Sequence, residues 1–311
     1  MLQEGKGRFN ELLDIGDGIS VNISFLATEI DRAYSAAPMI GPTDSKGGNP
    51  VEFKQVVGRR RSIRFFEPDK QVEREKIQTI LEAARLASCA VNAQWLRAIV
   101  VERDKLPKEK LDQLKTPVAA LTLDLAPLHI YFFCDLGVVN RIKGERLKEL
   151  VDVGALAPTH GWSHKFVDDF VYPQILKPMT ENLQGYLPAA AADCGGAAHI
   201  ALLTAFEEGL GACLNTPNPG LVKRVFNVPD DWVPLWVLLV GYPAESWEAG
   251  GQRPRPPFEE LYFEGEYGTP FARDEKVVER LRGAGMIQAP APLPGRTEEL
   301  RELARRFGLP E

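Results

Sequence analysis

Two periods of apolar and polar residues run through this chain, and the switches between them mark its elements. From Glu73 to Ala87, apolar Ile77, Ile80, Leu81, Ala84 and Leu86 fall largely on one helical face, with Val72 placed just before as a staple-like contact. "LRAIVVER" reads as a strand from its β-branched content, and "APLHIYFFCDL" and "VPLWVLLVGYP" as two buried ones. Residues 140–187 read as mostly helical with irregular punctuation. Ala189–Gly209 follows as a long helix of small residues, with Gly209 and Gly211 as C-terminal cap chemistry. "PNPGLVKRVFNVPDDW" gives a short helix and turn, and "PGRTEELRELARRFG" a terminal helix. Residues 1–40 have a mixed pattern compatible with helix, "GPTDSKGGNP" at 41–50 reads as a linker, and the main domain is expected from Val51. Helices many, strands few and interleaved predict an α/β or α+β domain without fixing strand order.

Composition narrows the class. A chain of 311 residues with 44% hydrophobic and 26% charged residues has material for one large domain or two small ones. A formal net charge of −6 argues against a general nucleic-acid or membrane-surface binder. The N-terminus lacks a basic stretch followed by an apolar one, and no uninterrupted apolar run reaches bilayer-spanning length. Cys89, Cys134, Cys194 and Cys213 are widely spaced with no C-x-x-C pair, as expected for free thiols in a reducing compartment. The expectation is a soluble, cytoplasmic protein.

Against that acidic background, "GRRRSIR" stands out. Arg59, Arg60, Arg61 and Arg64 with Ser62 between them offer planar donor forks and a hydroxyl that match phosphate oxygens. The same residues would also suit a solvated basic helix end, where cations favour the helix dipole. A second basic pair, Arg253 and Arg255 in "GQRPRPPF", sits on a backbone stiffened by proline, and also reads as an exposed loop. "SCAVNAQ" places Ser88, Asn92 and Gln94 between a helix and a strand. Amides there can read a heterocycle edge or simply satisfy the backbone.

The order of these blocks carries more than any one of them. R-R-S-x-R, an amphipathic helix ending "EAARLASCAVNAQ", a strand, and much later "GLGAC" and "LLVGYP" resemble the nitroreductase family of FMN-dependent flavoproteins, from about Val51 to Pro257. The resemblance implies an α+β fold with a mixed, mostly antiparallel sheet flanked by helices, in an intertwined homodimer with two FMN sites at the subunit interface. It implies three regions: an extension and linker at 1–50, an FMN-binding domain at 51–257 with a substrate-cover insert at 140–187, and a C-terminal extension at 258–311. Arg60, Arg61, Ser62 and Arg64 match the family's phosphate and ring-edge motif, and Ser88, Cys89, Ala90 and Asn92 its partner-subunit loop. Arg253 and Arg255 match late basic phosphate contacts by spacing, and Leu214, Asn215 and Thr216 lie where a backbone N–H faces flavin N5. Three departures stand beside the match, one being that the insert from about Asn140 to Tyr186 is longer than a minimal family member needs. Trp95 and Leu96 replace the family's usual Pro-Trp pair, and Pro217 has no N–H to give, which leaves Asn215 or Thr216 to supply it.

The implied activity is that of an FMN-dependent oxidoreductase. It would use NADPH or NADH to reduce electron-poor nitroaromatic or quinone-like substrates, by ping-pong hydride transfer through flavin N5. No side chain is singled out as a catalytic acid or base. The alternatives are a specialised flavoenzyme of the same superfamily (a reductive dehalogenase, a dehydrogenase or a flavin-cleaving enzyme) and a non-catalytic flavin-binding protein. His160 and His164 in "HGWSH" are four apart, but no third ligand lies nearby and no metal is expected. With Trp162 they are either structural or part of the substrate pocket. His129 and His199 read as packed, hydrogen-bonded core residues.

Overall fold

The computed structural model describes residues 12–14, 20–22 and 52–310, and among them six strands are formed. Residues 1–50 and 51–311 separate into two units. In the first, β1 (Leu12–Asp14) and β2 (Ser20–Asn22) pair antiparallel, so these residues are extended where a helix is expected from their pattern. The rest of the expected N-terminal helix and the 41–50 linker lie outside the described residues.

The second unit is built on β3 (Leu96–Glu102), β4 (Leu128–Asp135), β5 (Gly211–Asn215) and β6 (Trp232–Gly241), in the spatial order β3-β4-β6-β5. All three pairings are antiparallel. β4 is buried along its whole length, as its unbroken apolar run requires for a central strand. A bulge between Phe132 and Phe133 shifts its register against β6. A parallel bridge from Ser62 to Ala212 extends the sheet past β5.

Helices cover both faces. On one, the helix Arg74–Arg85 and the long helix Leu183–Glu207 bury Ile77, Ile80, Ala84, Ala198 and Ala201 against Ile130, Phe132, Leu238 and Val240. On the other, Ile63, Phe66, Leu123 and Val225 pack against Tyr131, Phe133, Val237 and Leu239. A third cluster around Trp95, Cys134, Val167, Val171 and Tyr186 roots the segment 140–187. That segment is a run of short helices, with π-helical turns over Val167–Leu176.

The long helix begins six residues before Ala189, where the Asn182 side chain accepts a hydrogen bond from Gly185 N at 3.1 Å. Gly209, at φ +74°, ends it in the left-handed conformation. Gly185–Glu207 is long and apolar enough to cross a membrane by length and composition, which the sequence pattern does not suggest, and one face of it is packed into the core. Gly211 is not a cap but the first residue of β5. A Cβ there would lie 3.0 Å from carbons of Ile63, so the missing side chain lets the arginine loop approach the strand. Leu86, expected on the apolar face, is 75% exposed at the helix end. Residues 275–283 and 296–307 are helices that pack as part of the second unit.

Candidate functional site

The helix Phe53–Arg59 stops at Arg60, whose backbone turns extended (φ −58°, ψ 129°). The chain then runs beside β5, where Ile63 N donates to Ala212 O at 3.1 Å. Ile63 is buried in the core, and extended backbone alternates its side chains, so Ser62 and Arg64 take the opposite side. Asn215 Nδ2 donates to the buried Cys213 Sγ at 3.5 Å. Burial pushes the Cys213 thiol upward, and the cations Arg64 and Arg60 draw it partly back.

The late basic pair arrives at the same place. The Arg60 pKa is depressed first by burial and then by the positive charges of Arg61, Arg255 and Arg253. That of Arg253 is depressed by burial and then by Arg64 and Arg296, with Glu245 pulling the other way. Residues nearly 190 positions apart therefore share one cationic cradle. Among the described residues, the half-buried Arg60 guanidinium has no hydrogen-bond or ion-pair partner. Arg64 is exposed, its Nη1 donating only to Ser62 O at 3.1 Å. Crowded, under-neutralised cations raise the free energy of the empty cradle and lower it for one that holds an anion.

Arg61 differs from its neighbours. It is 4% exposed; Nη1 donates to Gly58 O at 2.6 Å and Arg60 O at 3.1 Å, and Nη2 to Gln288 Oε1 at 2.8 Å and Glu248 Oε2 at 3.4 Å. Its Nη1 and Nη2 donors are engaged within the protein, bracing the loop from behind, while Nε is buried with no partner among the described residues. Leu214 packs into the core from the far end of β5, Asn215 is half-buried, Thr216 is exposed and Pro217 is buried.

The Ser88–Gln94 loop lies elsewhere. It leads into β3, at the opposite edge of the sheet from the arginine loop beside β5. Three strand spacings separate those edges, about 14 Å. The loop is strained: Val91 (φ 49°), Asn92 (φ 49°) and Gln94 (φ 56°) all occupy the left-handed region, which a β-branched valine rarely enters. Several bonds hold it there. Ala90 N donates to Asp193 Oδ2 at 2.8 Å, Gln94 Nε2 to Asn92 Oδ1 at 2.6 Å and Gln94 N to Cys89 Sγ at 3.3 Å. Ser88 is exposed and Cys89 half-buried, its thiol pushed up by burial. Trp95 turns inward, 1% exposed, its ring edge-on to Tyr186 at 5.3 Å. Beside the loop, a cavity of about 280 Å³ is lined by Leu81, Ala84, Arg85, Gln94, Arg97 and Phe132 among others.

The histidines separate. Gly161 at φ +80° breaks the backbone between His160 and His164, so they do not share a helical face. His164 Nε2 meets Asp152 Oδ1 at 2.7 Å, and His160 is exposed. Among the described residues, no cluster of three or more His, Cys, Asp or Glu could hold a metal ion. Trp162 packs edge-on against Phe166, which stacks on Phe170 at 5.4 Å. His129 is a core residue, Nε2 reaching Leu123 O and Ala126 O at 3.0 and 3.1 Å. His199 is exposed, bonded back to Gly195 O at 2.9 Å, rather than packed inside.

Sheet, helices and cradle define an α+β protein with a cluster of basic side chains at one sheet edge. Residues 57–126 match the "Nitroreductase family", and the fold is that of nitroreductases. A nitroreductase family protein from Streptococcus pneumoniae superimposes with a TM-score of 0.53 at 21% identity, over 68% of this chain and 100% of that one. A candidate nitroreductase from Exiguobacterium sibiricum, solved in complex with FMN, gives 0.54 at 22% identity, over 71% and 99%. In sequence, a protein of Methanothermobacter thermautotrophicus described as a candidate NADH dehydrogenase/NAD(P)H nitroreductase is 26% identical over 202 residues, 63% of this chain and 80% of that protein. These matches support an enzymatic function.

Proposed function

We propose that the protein is an FMN-dependent oxidoreductase that reduces electron-poor, nitroaromatic or quinone-like small molecules with NADPH or NADH, acting as a cytoplasmic homodimer. The observation that carries the reading is the convergence of Arg60, Arg64, Arg253 and Arg255 beside Ser62 and the end of β5. FMN, when bound, supplies a ring that takes a hydride from the nicotinamide and gives it to the acceptor. The cradle suits its phosphate: Arg60 and Arg64 have free donors, Ser62 adds a hydroxyl, and Arg253 and Arg255 add charge. Arg61 keeps the loop in shape from behind. Asn215 and Thr216, beyond the last core residue of β5, would offer backbone N–H groups to the ring.

A single chain separates Ser88, Cys89, Ala90 and Asn92 from the arginines by the width of its sheet. If both groups address one ligand, a second copy must bring one of them, which supports the homodimer. The strain at Val91 and Asn92 is in keeping with a loop shaped for a ligand or partner rather than for its own stability. The four unpaired thiols suit a reducing compartment.

The test is an anaerobic visible spectrum of the purified protein after loading with FMN, before and after NADPH or NADH is added. A flavin spectrum that bleaches on addition supports the reading. Protein that cannot be loaded with FMN overturns it.

A further inference from the structure

Glu245 is a buried carboxylate whose partners are all accounted for. Its side chain is 1% exposed. Oε1 accepts from Arg64 N at 2.6 Å and Phe65 N at 3.2 Å, and Oε2 from Arg296 Nη2 at 2.7 Å. Arg296 turns its other nitrogen, Nη1, to Glu299 Oε2 at 2.7 Å, while Glu299 Oε1 accepts from Ser246 N at 2.6 Å. Gly250, at φ +86°, leaves room for this: a Cβ there would lie 3.0 Å from Arg296 Cγ. Further along the same terminal helix, Phe307 stacks on Phe65 at 5.8 Å and Arg306 pairs with Glu67. The segment beyond residue 257 thus grips both sides of the arginine loop.

We propose that Glu245 and Arg296 form a latch through which the C-terminal helix positions Arg64 for its anionic ligand. The inference rests on the phosphate reading above. An exposed arginine whose side chain is held only by its neighbour's carbonyl points where its backbone sends it, and two backbone N–H groups here are held by one carboxylate. Inside the protein that carboxylate is paired with the Arg296 guanidinium, which offsets the cost of burying either charge alone. Glu245 and Arg296 act on Arg253 in opposite directions, so the pair bears on the cradle's charge as well as on its geometry. Glu245 and Arg296 are positioning residues, acting through Arg64 and touching no ligand themselves.

The experiment compares FMN with riboflavin, which lacks the phosphate, by quenching of flavin fluorescence. It uses the full chain, Arg296→Ala and Arg296→Lys, each with and without Arg64→Ala. Arg296→Ala is expected to reduce the preference for FMN over riboflavin by roughly tenfold, and Arg296→Lys to retain most of it. In the Arg64→Ala background the effect of Arg296→Ala should largely vanish. Equal loss of both flavins, or an undiminished effect without Arg64, would overturn the latch and leave the phosphate reading standing. An unaltered chain with no preference for FMN would overturn the phosphate reading, and the latch with it. Should Arg296→Ala fail to fold, Glu245→Gln carries the same comparison.

Discussion

Ile63 N donates to Ala212 O at 3.1 Å, joining residues 149 positions apart and laying the arginine loop along the edge of β5. The bond fixes which way the loop faces. Ile63 goes into the core between the sheet and its helices, and the residues on either side of it, Ser62 and Arg64, are left to the cradle.

The approach depends on Gly211, whose missing Cβ keeps Ile63 at contact distance. Gly211→Ala should push the loop away from β5, at a cost of about 1–3 kcal/mol. Urea titration would show a lower midpoint, and FMN retention should fall with it. An unchanged midpoint would mean that the loop can shift without penalty.

Arg64 and Arg61 should separate binding from stability. Arg64→Ala removes an exposed, weakly held side chain, so thermal unfolding should barely change while FMN affinity weakens by about 1.5–3 kcal/mol. Arg61→Ala strips partners from Gly58 O and Gln288, with a loss of stability of about 2 kcal/mol. Calorimetry and flavin titration on both variants check the contrast; equal stability losses would contradict it.

Asp135, fully buried at the end of β4, takes Arg97 Nη2 at 2.8 Å and a second arginine, Arg141, that also pairs with Asp231 at 2.8 Å. Hydrogen bonding to Asp135 raises the Arg141 pKa above its usual range. Asp135→Ala should destabilise by about 2 kcal/mol. Breaking a wholly buried pair costs more, but both arginines are partly exposed and can reach water once freed. Equilibrium unfolding in denaturant measures it.

His129 titrates in a predictable window. Burial lowers its pKa from the usual 6.5 to about 4, so the folded protein holds it neutral while the unfolded chain takes up a proton below 6.5. The unfolded state then binds more protons, and stability falls as pH drops from 6.5 to 4, by about 3 kcal/mol in all. Above 6.5 the group has no effect. His129→Asn should flatten that part of the stability–pH curve, and an unaltered slope would rule the histidine out as its source.

Much of the second unit is legible in local pattern. The helix at Arg74–Arg85 and the strands β3, β4 and β6 lie where apolar periodicity puts them, because each buries a face or a whole run of its own residues. β5 is not legible. "GACLN" has little β-branched content and follows a helix-ending glycine, so local chemistry reads its first residue as a cap. It is a strand because β6 lies beside it with a free edge. Leu86 and His199 mislead for the opposite reason: residue type suggests burial, but both side chains lie on exposed faces of their helices.

The sequence by itself determined that basic residues would cluster, in two short runs near positions 60 and 254, and that a polar loop would follow the first amphipathic helix. These are properties of nearest neighbours, written in consecutive residues. Only the tertiary structure decided that the two basic runs meet, that Arg61 faces inward to Gln288, and that the polar loop ends up across the sheet from both. Those outcomes depend on strand order and on which backbone can approach which. Order of that kind is set by the competition of many long-range contacts for one core, and no single stretch of chain contains it.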